Sequence, residues 1–330
     1  MQGTPDREKR RSGAAHYLIA DNRQAIGGDE QDVGLHDERR VRVEHEYASS
    51  RRRCHRRFGQ SRMGFERIDT IEDPRVDAYR AVRDAELART RGLFVAEGRL
   101  VVERLIADGR HTLRSVLVSD AARQGLAPAL ARVPDRVPIY VCRAEDLRGI
   151  TGFDLHRGCL ALAERPAPVP AAALVAPAKL VVALDGVGNA DNVGGVFRNA
   201  AAFGVDAVLL GPTCCDPLYR KAIRTSMAAT LRVPFARVDD WSAALALLRA
   251  TGFAIVALTP REPSEDLAAF AERGRPERLA LLIGAEGAGL TSQSEAAADY
   301  RVRIPIRPDV DSLNLAVASG IALERLARRT

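Results

Sequence analysis

The sequence predicts an α/β protein whose second half is built on a parallel sheet. Short apolar segments, rich in β-branched residues, recur from residue 179 onward and alternate with stretches of helical periodicity. The five predicted strands are residues 180–184, 206–210, 253–258, 279–283 and 301–306. Polar, glycine-containing clusters follow several of them. Because ligands bind outside the carboxyl ends of the strands in open α/β sheets, we expect the functional site among these clusters.

The residues upstream predict a smaller α/β domain at 68–164, joined to a second domain at 179–330. Between them, residues 165–178 are rich in proline and alanine, which is typical of a semi-rigid linker. In the smaller domain the predicted helices are 73–89, about 100–105 and 121–132, and the predicted strands are 92–96, 113–118, 139–142 and 159–162.

Residues 1–67 contain arginine clusters and few large apolar side chains, and they show no sustained helix or strand period. Such a segment buries too little apolar surface to offset its ordering entropy, so we expect disorder. A start codon assigned too far upstream, with Met63 as the true beginning, accounts for it best. A basic RNA-binding arm is the functional alternative.

Composition limits the class of protein. The 330 residues are 46% hydrophobic, yet no apolar run reaches the roughly 18 residues of a transmembrane helix. The N-terminus lacks the apolar stretch of a secretory signal, so we expect a cytoplasmic protein without a membrane partner. The formal net charge of +6 is compatible with a nucleic-acid partner. Arginine-rich and alanine-rich composition explains the same charge.

The five cysteines predict neither a metal site nor a disulfide. Cys54, Cys142 and Cys159 are isolated, and Cys214 is adjacent to Cys215. Neither arrangement suits zinc ligands or an unstrained disulfide. We expect reduced structural thiols and no metal.

The first polar cluster, residues 189–200, follows the first strand of the second domain. Asp191 or Asn192 is a suitable N-cap and Gly204 a suitable helix stop, which places Arg198 about two turns into a helix with a glycine-rich first turn. The glycines allow a phosphate or another chain to approach the backbone, and Arg198 can bind a phosphate or a polarised hydroxyl. An ordinary helix start with a solvated arginine fits the same pattern.

Two further clusters follow later strands. Residues 284–289 place Glu286 between glycines, which predicts a tight turn; they match neither a dinucleotide-binding fingerprint nor a P-loop. Residues 304–319 predict a strand that breaks at a proline-rich turn and enters a helix from 313 to about 328, capped by Asp311 or Ser312. Capping does not explain Asn314 in the first turn.

A basic segment, residues 211–224, follows the second strand of this domain. It combines Tyr219 with several cationic side chains. We expect Arg220 and Arg224 to contact RNA backbone phosphates.

In chain order the three clusters read N-x-D-N-x-G-x-x-x-R-N-A, G-A-E-G-x-G-L and I-P-x-x-x-x-x-D-S-L-N. This combination resembles the signature motifs of the SpoU family of RNA ribose 2′-O-methyltransferases, within the SPOUT superfamily. Upstream, residues 94–98 together with His156, Arg157 and Gly158 are similar to the L30e-like substrate-binding domain that many members carry. The resemblance covers residues 68–328.

The resemblance implies an α/β-knot catalytic domain with a C-terminal trefoil knot, S-adenosyl-L-methionine as cofactor, a homodimer, and structured RNA as substrate. The accessory domain favours 23S ribosomal RNA over transfer RNA. The implied cofactor-binding residues are Leu258, Thr259, Gly284, Gly287, Ile304, Ile306 and Leu313. The implied catalytic or motif-core residues are Asn192, Arg198, Glu286, Ser312 and Asn314.

A neutral 2′-hydroxyl is a poor nucleophile, so the site must activate it and align it with the methyl donor. We assign activation to Arg198, which, paired with the adjacent RNA phosphate, either lowers the pKa of the hydroxyl or takes its proton. Because the pKa of arginine itself exceeds about 12, electrostatic activation is the safer description. The remaining side chains, those of Asn192, Asn314, Glu286 and Ser312, are assigned to positioning.

Three positions depart from the family pattern. Ala190 stands where proline is often found, Ala228 where glycine is frequent, and Pro308 where glycine is usual. Two alternatives to a 2′-O-methyltransferase remain at this point: a non-catalytic RNA-binding protein, and an SPOUT enzyme that methylates a base nitrogen.

Overall fold

The structure, a computed structural model, describes residues 64–80, 83–151 and 158–327. These residues form two sheets and belong to one compact unit. We call the described residues up to 164 the first region and those from 171 onward the second region. Within these described ranges no helix is long and apolar enough to cross a membrane.

The first region is a mixed five-stranded sheet with helices between its strands. Its elements are β1 (Phe65–Arg67), a 3₁₀ helix (Pro74–Tyr79), α1 (Asp84–Arg91), β2 (Leu93–Glu97), α2 (Arg99–Asp108), β3 (Leu113–Ser119), α3 (Asp120–Leu130), β4 (Ile139–Cys142), α4 (Ala144–Thr151) and β5 (Cys159–Glu164). The strand order is β1-β4-β3-β5-β2. β4 runs parallel to β1 and β3, whereas β5 is antiparallel to β3 and β2.

The helix predicted over 73–89 is the main error in this region. Pro74 begins a 3₁₀ helix that Asp73 caps. This helix ends at Tyr79, and the next residue, Arg80, is extended. Helix α1 then begins afresh at Asp84. The strand predicted to end at 162 continues to Glu164 because its antiparallel pairing with β2 extends that far.

The second region is a seven-stranded sheet in which every neighbouring pair of strands is parallel. Its elements are α5 (Ala171–Val175), β6 (Leu180–Asp185), α6 (Ala190–Ala202), β7 (Ala207–Leu210), α7 (Arg220–Thr225), a 3₁₀ helix (Ala229–Leu231), β8 (Phe235–Arg237), α8 (Trp241–Ala250), β9 (Ala254–Leu258), β10 (Glu265–Asp266), α9 (Leu267–Glu272), β11 (Leu279–Gly284), α10 (Ser292–Ala297), β12 (Tyr300–Arg303) and α11 (Leu315–Leu326). The order is β10-β12-β9-β11-β6-β7-β8, so the parallel sheet expected from the sequence is confirmed.

Two strands of this sheet were not expected. β8 and β10 are edge strands of three and two residues, too short to show a hydrophobic pattern. The strand expected over 301–306 ends at Arg303, since Pro305 has no N–H to continue a ladder.

The tract expected to be a linker contains α5, whose Val175 is fully buried. The Val175 carbonyl accepts a 2.7 Å hydrogen bond from Nη2 of Arg278. This helix therefore packs on the second region as part of its core.

Apolar side chains cover both faces of the seven-stranded sheet. Along β6, Leu180, Val182 and Leu184 pack in the same core cluster as Phe197 of α6. The alternate residue Val181 packs with Leu245 of α8 on the other face. Burial on both faces explains why these strands read as continuous apolar runs.

The two regions share one hydrophobic core. Ile223 and Ala228 of the second region lie fully buried in the same cluster as Phe94 and Val101 of the first. Ala228 has a φ of 69°, a left-handed conformation that costs an alanine about 1–2 kcal/mol. The residue is 1% exposed, so its burial against the first region offsets this strain.

Candidate functional site

A cavity of about 360 Å³ lies at the carboxyl ends of β9, β11 and β12. Residues that follow each of these strands line it, as expected for a ligand site in a parallel sheet. All seven residues expected to bind the cofactor are among them: Leu258, Thr259, Gly284, Gly287, Ile304, Ile306 and Leu313. Glu286 and Ser312 line the same cavity.

Residues 284–289 form one wall of the cavity, which we call the glycine-rich wall, and it is the tight turn expected around Glu286. Gly287 and Gly289 have φ values of 80° and 72°, and Ala285 pairs with Gly289 through two backbone hydrogen bonds of 2.9 and 3.1 Å. A Cβ on Gly284 would lie 2.2 Å from the carbonyl carbon of Gly289. The turn therefore folds directly against the end of β11, and only glycine leaves space for it.

Asp185, at the end of β6, anchors the chain that leaves this turn. Its Oδ2 accepts hydrogen bonds from the backbone N–H of Thr291 at 2.9 Å and from the hydroxyls of Thr291 and Ser294 at 2.7 Å. The carboxylate is 6% exposed. A buried, charge-assisted anchor of this kind holds the glycine-rich wall in one position.

Asn314 joins the three motif clusters. Its Nδ2 donates to Oδ1 of Asn192 at 2.9 Å and to Oε1 of Glu286 at 3.0 Å. Its Oδ1 accepts from the backbone N–H groups of Ala316 and Val317 at 3.0 and 3.3 Å. The carboxylate and the helix N–H groups fix which end of the amide points each way.

Both expected helix starts are corrected by the structure. The residue that caps α11 is Asn314 rather than Asp311 or Ser312, and the helix begins at Leu315 rather than 313. Asn189, whose side chain accepts from the N–H of Asp191, caps α6 in place of Asp191 or Asn192. The expected stop at Gly204 is confirmed by its φ of 67° directly after the helix.

Arg198 lies two turns along α6 from Asn192, and its side chain is exposed. Within the described part of the chain it makes no hydrogen bond or ion pair. It is not among the residues that line the cavity. A guanidinium without a protein partner beside the motif cluster is available to an anionic ligand.

The glycines of α6 serve packing within this chain. A Cβ on Gly194 would lie 2.7 Å from the carbonyl oxygen of Ala222 in α7, and one on Gly195 would lie 2.4 Å from Cβ of Ala316 in α11. The expectation that a phosphate or a partner chain occupies this space is therefore wrong.

The two arginines expected to contact RNA are already paired with carboxylates of the first region. Nε of Arg220 lies 2.6 Å from Oδ1 of Asp84, and both side chains are about four-fifths buried. Nη1 of Arg224 lies 2.7 Å from Oε1 of Glu97, whose side chain is 9% exposed. The Arg220 side chain is largely buried by its pair, whereas that of Arg224 is 50% exposed, and the phosphate contacts stay a prediction.

Four cysteines in the described residues, Cys142, Cys159, Cys214 and Cys215, are free thiols, as expected. Burial raises the pKa of Cys142 and Cys215 to about 11 and that of Cys159 to about 12. The described ranges contain no group of three or more His, Cys, Asp or Glu side chains that could hold a metal ion. His156 and Arg157, part of the upstream resemblance, lie outside the described residues.

Comparison with known proteins identifies the family. Residues 179–324 match the SpoU rRNA methylase family. An uncharacterised tRNA/rRNA methyltransferase of Mycobacterium bovis is 41% identical over 261 residues, which are 78% of this chain and 90% of that relative. The chain belongs to the SpoU family.

Two solved structures show the fold that this SpoU protein shares. An AdoMet-bound rRNA methyltransferase from Sinorhizobium meliloti has a TM-score of 0.68 at 24% identity and covers 79% of this chain and 97% of its own. An RNA 2′-O ribose methyltransferase has a TM-score of 0.66 at 23% identity, covering 79% of this chain and 98% of its own. The α/β fold with a parallel sheet is therefore that of SpoU methyltransferase structures.

Several residues that line the SpoU cavity were not expected as binding residues, and Arg261 is the charged one with the clearest role. Arg261 donates to the carbonyl oxygen of Ala288 at 2.7 Å and to Oε1 of Glu295 at 2.9 Å. It thereby links the glycine-rich wall to α10. The only available signal was its position just after a strand end. Its partners lie 27 and 34 residues away and could not be inferred from spacing.

Asn314→Ser separates the two tasks of this side chain. A serine still caps the helix but is too short to reach Asn192 and Glu286, so we expect stability near that of the wild type and methyl transfer slower by roughly 10-fold to 100-fold. Asn314→Ala should slow transfer equally and also cost about 1 kcal/mol of stability. Thermal unfolding and single-turnover kinetics measure both effects. A serine variant with the wild-type rate would show that the bridge is dispensable.

Proposed function

We propose that this SpoU protein is an S-adenosylmethionine-dependent methyltransferase that modifies a ribose 2′-hydroxyl in structured RNA. The observation that carries the proposal is the Asn314 bridge. It joins Asn192 and Glu286 at the edge of the cavity. Asn192 lies on α6, the helix that also carries Arg198, whose side chain has no partner among the described residues. The cofactor, the target 2′-hydroxyl and the Arg198 guanidinium can come together at this edge of the cavity.

The cavity fits the proposed cofactor. Its volume of about 360 Å³ lies within the range of small-molecule sites. Leu258, Ile304 and Leu313 offer apolar surface to an adenine ring, and the backbone of the glycine-rich wall offers hydrogen-bonding groups. When bound, S-adenosylmethionine supplies an electrophilic methyl group on a sulfonium.

The protein residues then have distinct tasks. Arg198 binds the RNA phosphate next to the target ribose and stabilises negative charge that develops on the 2′-oxygen. Asn192 and Asn314 fix the helix that carries Arg198 relative to the cavity. Glu286 holds the Asn314 amide in place, and Ser312 lines the cavity. These groups supply alignment and electrostatic stabilisation. The hydroxyl proton, made more acidic by Arg198, would leave to solvent as the oxygen takes the methyl group from sulfur.

The proposed substrate is 23S ribosomal RNA, with transfer RNA as the alternative. The first region, proposed as an L30e-like RNA-binding domain, supports an extended structured substrate because it is packed firmly beside the second region. The M. bovis relative is described as a tRNA/rRNA methyltransferase, which leaves both RNA classes open. We also propose a cytoplasmic location.

A trefoil knot and a homodimer belong to the same proposal. An apolar patch on α11 and the preceding turn supports the dimer: Val310, Val317 and Ile321 are 44%, 52% and 38% exposed. Apolar side chains that recur on one helix face and remain exposed mark an interaction surface. A second copy of the chain is the proposed partner.

Methyl incorporation followed by nucleoside analysis tests the proposal. The protein is incubated with S-adenosylmethionine labelled in its methyl group and with 23S ribosomal RNA or transfer RNA transcribed in vitro. We expect label in a 2′-O-methylnucleoside from 23S ribosomal RNA after nuclease digestion and mass spectrometry. A methylated base would favour the base-nitrogen enzyme. No incorporation, together with no cofactor binding in calorimetry, would favour the non-catalytic RNA-binding protein.

A further inference from the structure

Helix α7 has two adjacent rows of side chains. One row contacts the first region, and the other contacts α6. Arg220 and Arg224, one turn apart, pair with Asp84 and Glu97 of the first region. Each row has the four-residue spacing that places side chains on the same side of a helix. The helix is therefore attached to the first region at two successive turns.

The second row of α7 is attached to the first turn of α6. Nζ of Lys221 lies 2.7 Å from Oδ2 of Asp191, and the Thr225 hydroxyl donates to Oδ1 of the same residue at 3.0 Å. The hydrogen bond from Lys221 is the largest cause that holds the pKa of Asp191 below its usual value. Asp191 immediately precedes Asn192, so this attachment lies next to the motif residue bound by Asn314.

Close packing makes these attachments stiff. Gly194 of α6 approaches α7 so closely that a Cβ there would lie 2.8 Å from Cβ of Thr225. Ile223 of α7 is fully buried in the core that the two regions share. A shift of the first region relative to α7 would therefore disturb packed side chains and partly buried ion pairs at the same time.

We propose that α7 is a positioning element, which fixes Asn192 and Arg198 of α6 relative to the first region. In this proposal, Arg220 and Arg224 act through Asp84 and Glu97 rather than on RNA. The inference rests on the proposed function, because it gives a purpose to the fixed distance between an RNA-binding region and the methyl-transfer site. The substrate class that it implies is a rigid, prefolded RNA element that spans both regions.

The carboxylate partners give the sharpest test, since positioning and RNA contact predict opposite results. If α7 positions α6, Glu97→Gln and Asp84→Asn should each lower kcat for methyl transfer to in-vitro-transcribed 23S ribosomal RNA by about 10-fold. The dissociation constant for this RNA, measured by filter binding, should change less than twofold. If the arginines instead contact RNA, removing a carboxylate frees a cation, and RNA binding should become tighter with kcat unchanged.

Double mutants and a matched control complete the kinetic test. The double variant Arg220→Gln, Asp84→Asn should have a kcat no lower than that of the slower single variant, because each substitution removes the same ion pair. Additive losses would show that Arg220 acts independently of Asp84 and would overturn the proposal. Glu265→Gln is the control, since Glu265 pairs with Arg273 entirely within the second region. It should leave kcat unchanged.

Hydrogen exchange tests the proposal without RNA or activity. In Glu97→Gln and Asp84→Asn, the backbone amides of residues 193–198 in α6 should exchange about 10-fold faster than in the wild type. Unchanged exchange in both variants would overturn the positioning role, even where kcat falls. A wild-type protein that methylates no RNA would contradict the proposed function, and the exchange result would still decide the role of α7.

Discussion

Gly284→Ala is expected to abolish binding of S-adenosylmethionine and to destabilise the protein by about 3 kcal/mol or more. The added methyl carbon would lie 2.2 Å from the carbonyl carbon of Gly289 and 2.3 Å from the nitrogen of Leu290. Both obstructing atoms are backbone, so no side-chain rotation relieves the clash. The turn that forms the cavity wall must move away from β11. Titration calorimetry measures the loss of binding, and chemical denaturation measures the loss of stability.

Gly188→Ala is the matched control for this prediction. Gly188 also follows a strand of the seven-stranded sheet, but a Cβ there would meet only the carbonyl oxygen of Thr213, at 3.9 Å. That is an ordinary contact distance, so we expect cofactor affinity within twofold of the wild type. A Gly284→Ala variant with wild-type affinity would show that this turn does not form the cofactor wall.

Arg198→Ala is expected to lower the rate of methyl transfer by roughly 10²-fold to 10³-fold, the usual loss when a charge that stabilises a developing oxyanion is removed. Cofactor affinity should change less than twofold, because Arg198 is not among the residues that line the cavity. Stability should be unaffected, since the side chain is exposed and has no partner among the described residues. Single-turnover kinetics with saturating cofactor measures the rate, and calorimetry measures the affinity.

Arg198→Lys tests how much of the effect depends on charge alone. A lysine keeps the positive charge but loses the planar fork of the guanidinium, so electrostatic activation predicts a partial recovery of about 10-fold relative to alanine. Full methylation by Arg198→Ala, with normal cofactor affinity, would contradict the activating role altogether.

The place of the site was predictable from strand ends, whereas the individual cofactor-binding residues came from the family resemblance. Leu258, Gly284 and Ile304 each follow or terminate an apolar segment that is evident in the sequence, and parallel strands bring their carboxyl ends to one edge. The motif resemblance, not the strand pattern, singled out these three residues. Short edge strands such as β10 were not predictable, since two residues carry no pattern.

Helix caps and ion pairs escaped prediction for a different reason. Asp311, Ser312 and Asn314 are all good capping residues, and the choice among them depends on tertiary partners. Asn314 is selected because its amide also reaches Asn192 and Glu286. Likewise, the sequence shows that 211–224 is basic, but Asp84 is 136 residues from Arg220. No local pattern reveals such a partner.

The Asn314 bridge also combines a short-range and a long-range contact of the chain. Its bond to Glu286 spans 28 residues, whereas its bond to Asn192 spans 122. Contacts between distant residues form late, because loop-closure entropy must be overcome first. The contact with Glu286 closes a much smaller loop than the contact with Asn192. The site is complete only in a chain that has formed both contacts, so it depends on distant parts of the sequence at once.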